Sequence, residues 1–232
     1  MIRWSPPGPY EIVFSTRRGG VSDGPYASLN LGRLTGDDVE RVDENRRRLC
    51  AEVGADVLRL ALNRQIHSTH VHRAEAGARG RPGDGLWTDE PDLPILAMSA
   101  DCLPIALVRG DGETPAAAVL HAGWRGLLDG IVAEGVGALG GSVRAAIGPG
   151  IGPCCYAVGP EVAVPFADRW GCVLIHGANL DLWSAAELAL RASGVEEVHR
   201  VDLCTHCNPD DFFSHRRTGK PRGVQGVIAR VA

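Results

Sequence analysis

Four short apolar runs, at residues 93–98, 105–108, 116–120 and 143–147, constrain the fold of this chain more than any other feature. Each has the length of a strand and lacks the in–out alternation of a strand with one wetted face, so each reads as a strand buried on both sides. Further extended stretches are expected at 11–16, 58–66, 71–74, 195–201 and 224–231, the first running into the turn formers Arg18-Gly19-Gly20.

Helices interleave with these strands. Val39, Val42, Leu49 and Val53 keep helical spacing across 37–53, with Asp37 placed to cap the start and Gly54 to close the end. A second helix is expected over 124–139, with Leu127, Leu128, Ile131, Val132 and Val136 on one stripe, and others over 160–170 and 182–192. The mixture predicts an α+β architecture, a mixed-sheet αβ sandwich. No fixed-period repeat or low-complexity linker divides the 232 residues, so residues 1–232 are expected to form a single domain. The polar stretch 77–84 reads as one exposed loop.

Composition narrows the function classes. Hydrophobic residues at 44% and charged residues at 22% exclude disordered and fibrous chains. A net charge of −4 without a basic tract argues against nucleic acid as a partner. The longest apolar stretch, 93–108, is broken by Ser99, Asp101 and Pro104, and the start Met1 to Pro6 has no apolar signal region. A cytoplasmic, membrane-free protein is therefore expected, with its odd count of seven cysteines kept as reduced thiols. Nothing in the sequence speaks to oligomeric state.

Residues with chemistry gather at strand ends. The stretch Asn63-Arg64-Gln65-Ile66-His67-Ser68-Thr69-His70-Val71-His72 holds three of the eight histidines. In an unbroken strand His70 and His72 would share one face and His67 the other, so spacing alone does not choose among them. Cys102, in Ser99-Ala100-Asp101-Cys102-Leu103-Pro104, is a ligand, a nucleophile or a core filler. His121, in His121-Ala122-Gly123-Trp124-Arg125-Gly126, stands where a strand meets a helix, and Arg125 with the free helix amides can attract an anion.

The loop Gly148-Pro149-Gly150-Ile151-Gly152-Pro153-Cys154-Cys155-Tyr156 is neither a P-loop nor a dinucleotide fingerprint, and at most one of its adjacent cysteines is expected to face a site. Cys204-Thr205-His206-Cys207 with His215 lacks the context of a zinc or redox pair and reads as structural or site-lining. One histidine of the first group, Cys102 and His121 together make a donor set that suits zinc and leaves a fourth position open. The same atoms also serve covalent catalysis, with Cys102 as nucleophile and a histidine as base.

Several of these stretches, together with Ser15-Thr16-Arg17-Arg18-Gly19-Gly20-Val21-Ser22, Tyr26-Ala27-Ser28-Leu29-Asn30-Leu31-Gly32 and Phe213-Ser214-His215-Arg216-Arg217, resemble the YfiH/laccase-domain family, from about Glu11 to the C-terminus. The resemblance implies a mixed αβ sandwich and a metal site at His67, Cys102 and His121, which doubles as the catalytic centre. It implies zinc, with copper as the alternative, and phosphorolysis of purine nucleosides (adenosine, inosine, methylthioadenosine) with adenosine deamination. Arg17, Asn30, Arg125 and Cys155 fall in matched motifs and are taken as substrate-binding, the arginines and the amides near Gly123 for phosphate.

The family has also been described as multicopper polyphenol oxidases and as a peptidoglycan-editing factor, so a copper-dependent oxidase and a cysteine hydrolase or amidase acting on peptidoglycan precursors are the competing readings. A laccase needs many histidines around several coppers, and eight scattered ones fit that poorly. The chain departs from the family pattern at Ser68 and across Thr218 to Gln225, so no substrate contact is carried onto Arg222 or Gln225.

Overall fold

Side chains along Ile12, Val13 and Phe14 divide the core in two, for Ile12 and Phe14 enter one apolar cluster and Val13 enters another. Both faces of this strand are therefore buried, which is why its sequence shows no polar alternation. The computed structural model describes residues 1–110 and 114–232. In chain order the strands are Ile2–Trp4 (β1), Tyr10–Phe14 (β2), Ala61–Arg64 (β3), Val71–Arg73 (β4), Arg79–Pro82 (β5), Gly85–Thr88 (β6), Ile95–Ser99 (β7), Leu103–Arg109 (β8), Ala117–Ala122 (β9), Val143–Ile147 (β10), Ile175–His176 (β11), Asn179–Leu180 (β12), Glu197–Arg200 (β13) and Gln225–Val231 (β14). The helices are Val39–Glu52 (α1), Trp124–Asp129 (α2), Ile131–Leu139 (α3), Pro160–Trp170 (α4), Leu182–Ala192 (α5) and His215–Thr218 (α6).

Two mixed six-stranded sheets result, ordered β1-β2-β14-β7-β3-β5 and β13-β10-β8-β9-β6-β4, with β11 and β12 as a separate hairpin. Their inner faces meet in one cluster that includes Phe14, Ile95, Ala97, Ala106, Val119 and Val227. The outer face of the first sheet packs on α1 through Val13, Leu49, Leu96 and Ile228. The outer face of the second carries α2 to α5 through Leu103, Ile105, Leu120, Leu127, Ile131 and Phe166. The layers run helix, sheet, sheet, helices, which is the expected mixed-sheet αβ sandwich. Each fully buried large side chain contributes roughly 1.5–3 kcal/mol to holding them together.

Some local expectations change. Asp38, not Asp37, caps α1, accepting from the amides of Glu40 at 2.8 Å and Arg41 at 3.3 Å. Asp37 instead accepts from Ser22 Oγ and Asn30 Nδ2. The single helix expected over 124–139 is two, because Gly130 adopts φ 104° and serves as the end of α2 and the start of α3. Its dipole at Gly123 is consequently that of a six-residue helix, weaker than the sequence suggested.

The expected exposed loop 77–84 contains an edge strand, β5, whose side chains all face solvent and so carry no apolar signal; Pro82 is tolerated because the edge needs no donor there. The extended run 58–66 is shorter than expected, a 3-10 turn at Val57–Arg59 followed by β3, which ends at Arg64 before any histidine. Among the described residues no helix is long and apolar enough to cross a membrane.

Candidate metal centre

Strand register brings the chemistry together. β8 and β9 pair antiparallel with Pro104 opposite His121 and Leu103 opposite Ala122, which sets Cys102, just before β8, beside the end of β9. β6 flanks β9 on the other side with Gly85 opposite Leu120, so Asp84 lies next to His121, whose amide donates to the Asp84 carbonyl at 2.7 Å. The connection between β3 and β4 closes the third side. His67 sits in it with φ 61°, in left-handed backbone, so strand alternation does not apply and His67 turns inward.

The ligand atoms of His67, Cys102 and His121 all lie within 4.8 Å of one another. Cys102 Sγ is 3.9 Å from His67 Nε2, and the two imidazoles meet edge to face with centroids 4.9 Å apart. Zinc bonds of about 2.3 Å to sulfur and 2.0–2.1 Å to nitrogen at the tetrahedral angle need a sulfur–nitrogen distance of about 3.5 Å, so small side-chain rotations suffice. His70 and His72 are not in the group; they stack on each other at 6.1 Å, and His72 Nε2 meets the Pro82 carbonyl. Gly123 leaves the centre its room, since a Cβ there would lie 3.0 Å from His67 Cδ2 and 3.1 Å from Cys102 Sγ.

A buried carboxylate that the sequence hid in a presumed loop organises this centre. Asp84 Oδ1 accepts from His121 Nδ1 at 2.8 Å and from the His67 amide at 3.0 Å, while Oδ2 accepts from the amides of Ile66 and Ser68 and from Ser68 Oγ. With Nδ1 held on Asp84, Nε2 of His121 is the nitrogen left to face Cys102 and to bind a metal that displaces its proton. The one signal for Asp84 in the sequence was an acid between two glycines directly before a strand. Gln65 braces the same connection by pairing with both backbone groups of Met98, at 2.6 and 2.8 Å.

Charge follows this geometry. Burial disfavours ionised Asp84, yet the hydrogen bonds from His121 and Ser68 outweigh it and hold the carboxyl well below its usual range. Burial likewise opposes the Cys102 thiolate, but His121 and then His67 bring its pKa down to about 6. His121 is raised to about 9, against burial, by the Cys102 thiolate and Asp84. The metal-free centre is thus a thiolate–imidazolium pair, and a cation replacing the proton meets a deprotonated donor set.

Other predicted residues are placed differently. Arg17 donates to the carbonyls of Ala27 and Pro209 and lies 4.6 Å over the Phe213 ring, beside a surface hollow it shares with Ser28 and Asp210. Asn30 is fully buried, with its Nδ2 on Thr35 and Asp37 and its Oδ1 taking the amides of Gly32 and Val224. Arg125 is exposed in the first turn of α2, 4.2 Å over the Trp124 ring. Cys155 lies with Cys154 and Cys207.

The expectation that at most one of the adjacent cysteines faces a shared cluster is not met, because they sit in a turn rather than a strand and both sulfurs reach Cys207, at 3.6 and 3.3 Å. Arg222, onto which no contact was carried, lies within electrostatic reach of Asp101 and Cys102, and its buried Nε has no hydrogen-bond partner among the described residues.

Sequence comparison identifies the family. A family model described as "Multi-copper polyphenol oxidoreductase laccase" matches residues 11–231. The chain belongs to this YfiH/laccase-domain family. Within it, the protein named purine nucleoside phosphorylase YfiH of Escherichia coli K12 is 36% identical over 226 residues, covering 93% of this chain and 91% of that protein. The one named purine nucleoside phosphorylase YlmD of Geobacillus stearothermophilus is 35% identical, covering 91% and 85%.

Solved YfiH-family folds superpose closely. A Neisseria meningitidis protein matches with TM-score 0.89 at 33% identity over 99% of this chain and 98% of its own, and the Geobacillus YlmD structure with 0.85 at 31% over 96% and 92%.

Proposed function

We propose that this YfiH-family chain is a zinc-dependent purine nucleoside phosphorylase that also deaminates adenosine. The observation that carries the reading is the convergence of His67 and Cys102, from two separate connections, with His121 at the end of β9 into one group with an exposed side. His67 is exposed and Cys102 half-buried, while His121 and Asp84 are buried behind them. The names of the relatives, which cover nearly the whole chain, supply the substrate class.

Bound there, zinc would supply a Lewis acid with a fourth position open to solvent or substrate. The donor chemistry favours zinc over the coppers of a laccase. Among the described residues only two groups of three or more candidate ligands occur, and only one of them contains histidine.

The chain itself supplies the positioning. In phosphorolysis a phosphate oxygen bonds to the anomeric carbon of the sugar as the bond to the purine nitrogen breaks, and the base departs with a proton. Arg222, within electrostatic reach of Cys102, and Arg125, within reach of Tyr156, bring positive charge near the centre that a phosphate could use. Asp101 is not free to act as a base, since Thr205 Oγ1 and the Arg216 amide each donate to it at 2.6 Å. Tyr156, half-buried and facing the same charges, is kept a protonated donor by burial and by the neighbouring Cys102 thiolate.

Release of adenine from adenosine with and without phosphate tests the reading, beside a His121→Ala variant and a zinc assay. Phosphate-dependent release that disappears in the variant is expected; a zinc-loaded protein without turnover sinks it. One observation favours a second reading, a cysteine hydrolase: the thiolate–imidazolium pair of Cys102 and His121 is also what a nucleophilic cysteine needs. Such an enzyme would survive chelation and lose activity to alkylation of Cys102.

A further inference from the structure

Outside this centre, the loop after β10 and the segment after β13 bring four cysteines together. We propose that Cys154, Cys155, Cys204 and Cys207 form a second metal site, a four-thiolate cage for one tetrahedral zinc ion that clamps these two segments to each other. The four sulfurs lie within 4.8 Å of one another, with Cys207 Sγ 3.6 Å from Cys154 and 3.3 Å from Cys155. A tetrahedral zinc with bonds of about 2.3 Å needs sulfurs about 3.8 Å apart, in the middle of this range. All seven cysteines are unbridged.

The backbone is shaped for the ion. The amides of Cys155 and Tyr156 both donate to the Gly152 carbonyl, at 3.0 and 3.1 Å, and this turn brings two adjacent cysteines to one side. Across from it, Cys204 and Cys207 have the two-residue spacing common to zinc ligand pairs. A bridge between Gly150 and Cys204, with the Thr205 amide on the Gly150 carbonyl at 3.0 Å, fixes the separation of the segments.

Cys204 Sγ, which is buried, accepts the Gly152 amide at 3.3 Å and faces the amides of His206 and Cys207 as well. Three amide donors around one sulfur suit a thiolate rather than a thiol. Arg217 adds a positive charge beside the loop, donating to the carbonyls of Thr205 at 2.7 Å and His206 at 3.0 Å, which offsets the net negative charge of four thiolates around a divalent ion. Uptake of one zinc forms four Zn–S bonds and releases the protons of whichever thiols were still protonated, with no change of oxidation state.

The clamp also bears on the first centre. Thr205 follows Cys204 directly, and its hydroxyl holds Asp101, the residue before Cys102. Asp101 has φ 91°, an uncommon backbone for that residue, and its carbonyl takes the Ile151 amide from the opposite segment at 2.8 Å. The four-cysteine site thus holds both segments that brace the Cys102 turn.

Metal counting on the full-length chain tests the proposal without reference to turnover. Protein purified under reducing conditions is assayed for zinc as wild type, as His67→Ala and as His67→Ala combined with Cys204→Ser and Cys207→Ser. Two zinc ions per chain, then one, then none is the expected series, and cobalt bound to His67→Ala should show the intense charge-transfer absorption of several thiolates. The proposal is overturned if His67→Ala holds no metal while its four thiols remain titratable, or if intact mass shows a Cys155–Cys207 disulfide in the reduced preparation. The wild-type and His67→Ala counts decide the matter even if the triple variant fails to fold.

Discussion

Asp84 and His121 form a buried pair, Oδ1 to Nδ1 at 2.8 Å, and the same carboxylate gathers the amides of Ile66, His67 and Ser68. One acid therefore sets the ring orientation of one candidate ligand and the backbone of the connection that carries another. Asp84→Asn keeps the volume but leaves a single acceptor oxygen and no charge. Zinc affinity should fall about 10–100-fold, the usual cost of losing such a supporting carboxylate. Stability should fall by about 1–3 kcal/mol because buried amides lose their acceptor. Competition with a chromophoric chelator and a thermal melt measure the two effects; an unchanged affinity would show that Asp84 only supports the fold.

The metal-free centre predicts a pH window. Cys102 in the folded chain is lowered from 9.0 to about 6, so its stabilising effect is fully present above pH 9.0 and is lost as pH falls through about 6. His121 is raised from 6.5 to about 9, so its effect is fully present below pH 6.5 and is lost as pH rises through about 9. Between about 6.5 and 9 the two trends offset, because folding there removes the thiol proton and places one on the imidazole, so the pair itself adds almost no pH dependence. Melting temperatures of chelator-stripped protein should therefore change little through this pair across that range, whereas Cys102→Ser, which removes the lowered thiol and leaves His121 raised by Asp84, should make stability fall as pH rises from 6.5. A wild-type curve that the substitution leaves unaltered contradicts the pairing.

Much of the fold was legible because apolar period and length suffice for doubly buried strands such as β8 and β9 and for helices such as α4 and α5. What escaped notice was decided by backbone partners. β5 exists because its amides and carbonyls pair with β3, and its exposed Arg79 and Arg81 say nothing of it. The site was legible in its residue types but not in its geometry. His67 could not be chosen by alternation because a left-handed residue breaks the period. Asp84 looked like a loop acid because its role is set by β6 pairing with β9, 32 residues further on in Ala117 to Leu120. The Cys154-Cys155 and Cys204-x-x-Cys207 pairs belong together only through the contact between Gly150 and Cys204, a relationship no local pattern contains.

Gly123→Ala separates metal binding from folding. Its backbone, φ −80° and ψ 172°, suits alanine, so the fold should lose less than about 1 kcal/mol. The added methyl, 3.0–3.1 Å from His67 and Cys102, must displace both ligands by a few tenths of an ångström. Weaker zinc binding with a nearly unchanged melting temperature is expected, and a large drop in melting temperature with normal zinc binding is the opposing result.

Ala106 tests the packing of the two sheets. Its side chain is fully buried among Phe14, Ala97, Val119 and Ala146 in the layer between them, where small residues let the sheets approach. Ala106→Leu should cost about 1–3 kcal/mol or more by overpacking. The same volume added at exposed Ala51, on α1, should change little. Chemical denaturation of both variants makes the comparison, and equal stabilities would mean that the inner layer is loosely packed.

Arg222 gives the sharpest test of the phosphate side. Burial lowers its pKa although Asp101 and Cys102 act in the opposite direction, and its buried Nε has no protein acceptor among the described residues. A buried donor without a partner costs free energy, and an incoming phosphate oxygen would satisfy it. Arg222→Gln removes the charge and keeps most of the stem. If a hydrogen bond to a charged group contributes about 1.5–3 kcal/mol, the KM for phosphate should rise roughly 10–150-fold. Zinc content should stay at the wild-type value, and turnover at saturating phosphate should fall far less than KM rises. An unaltered phosphate KM would remove Arg222 from the anion site and leave Arg125, at the start of α2, as the residue to replace next.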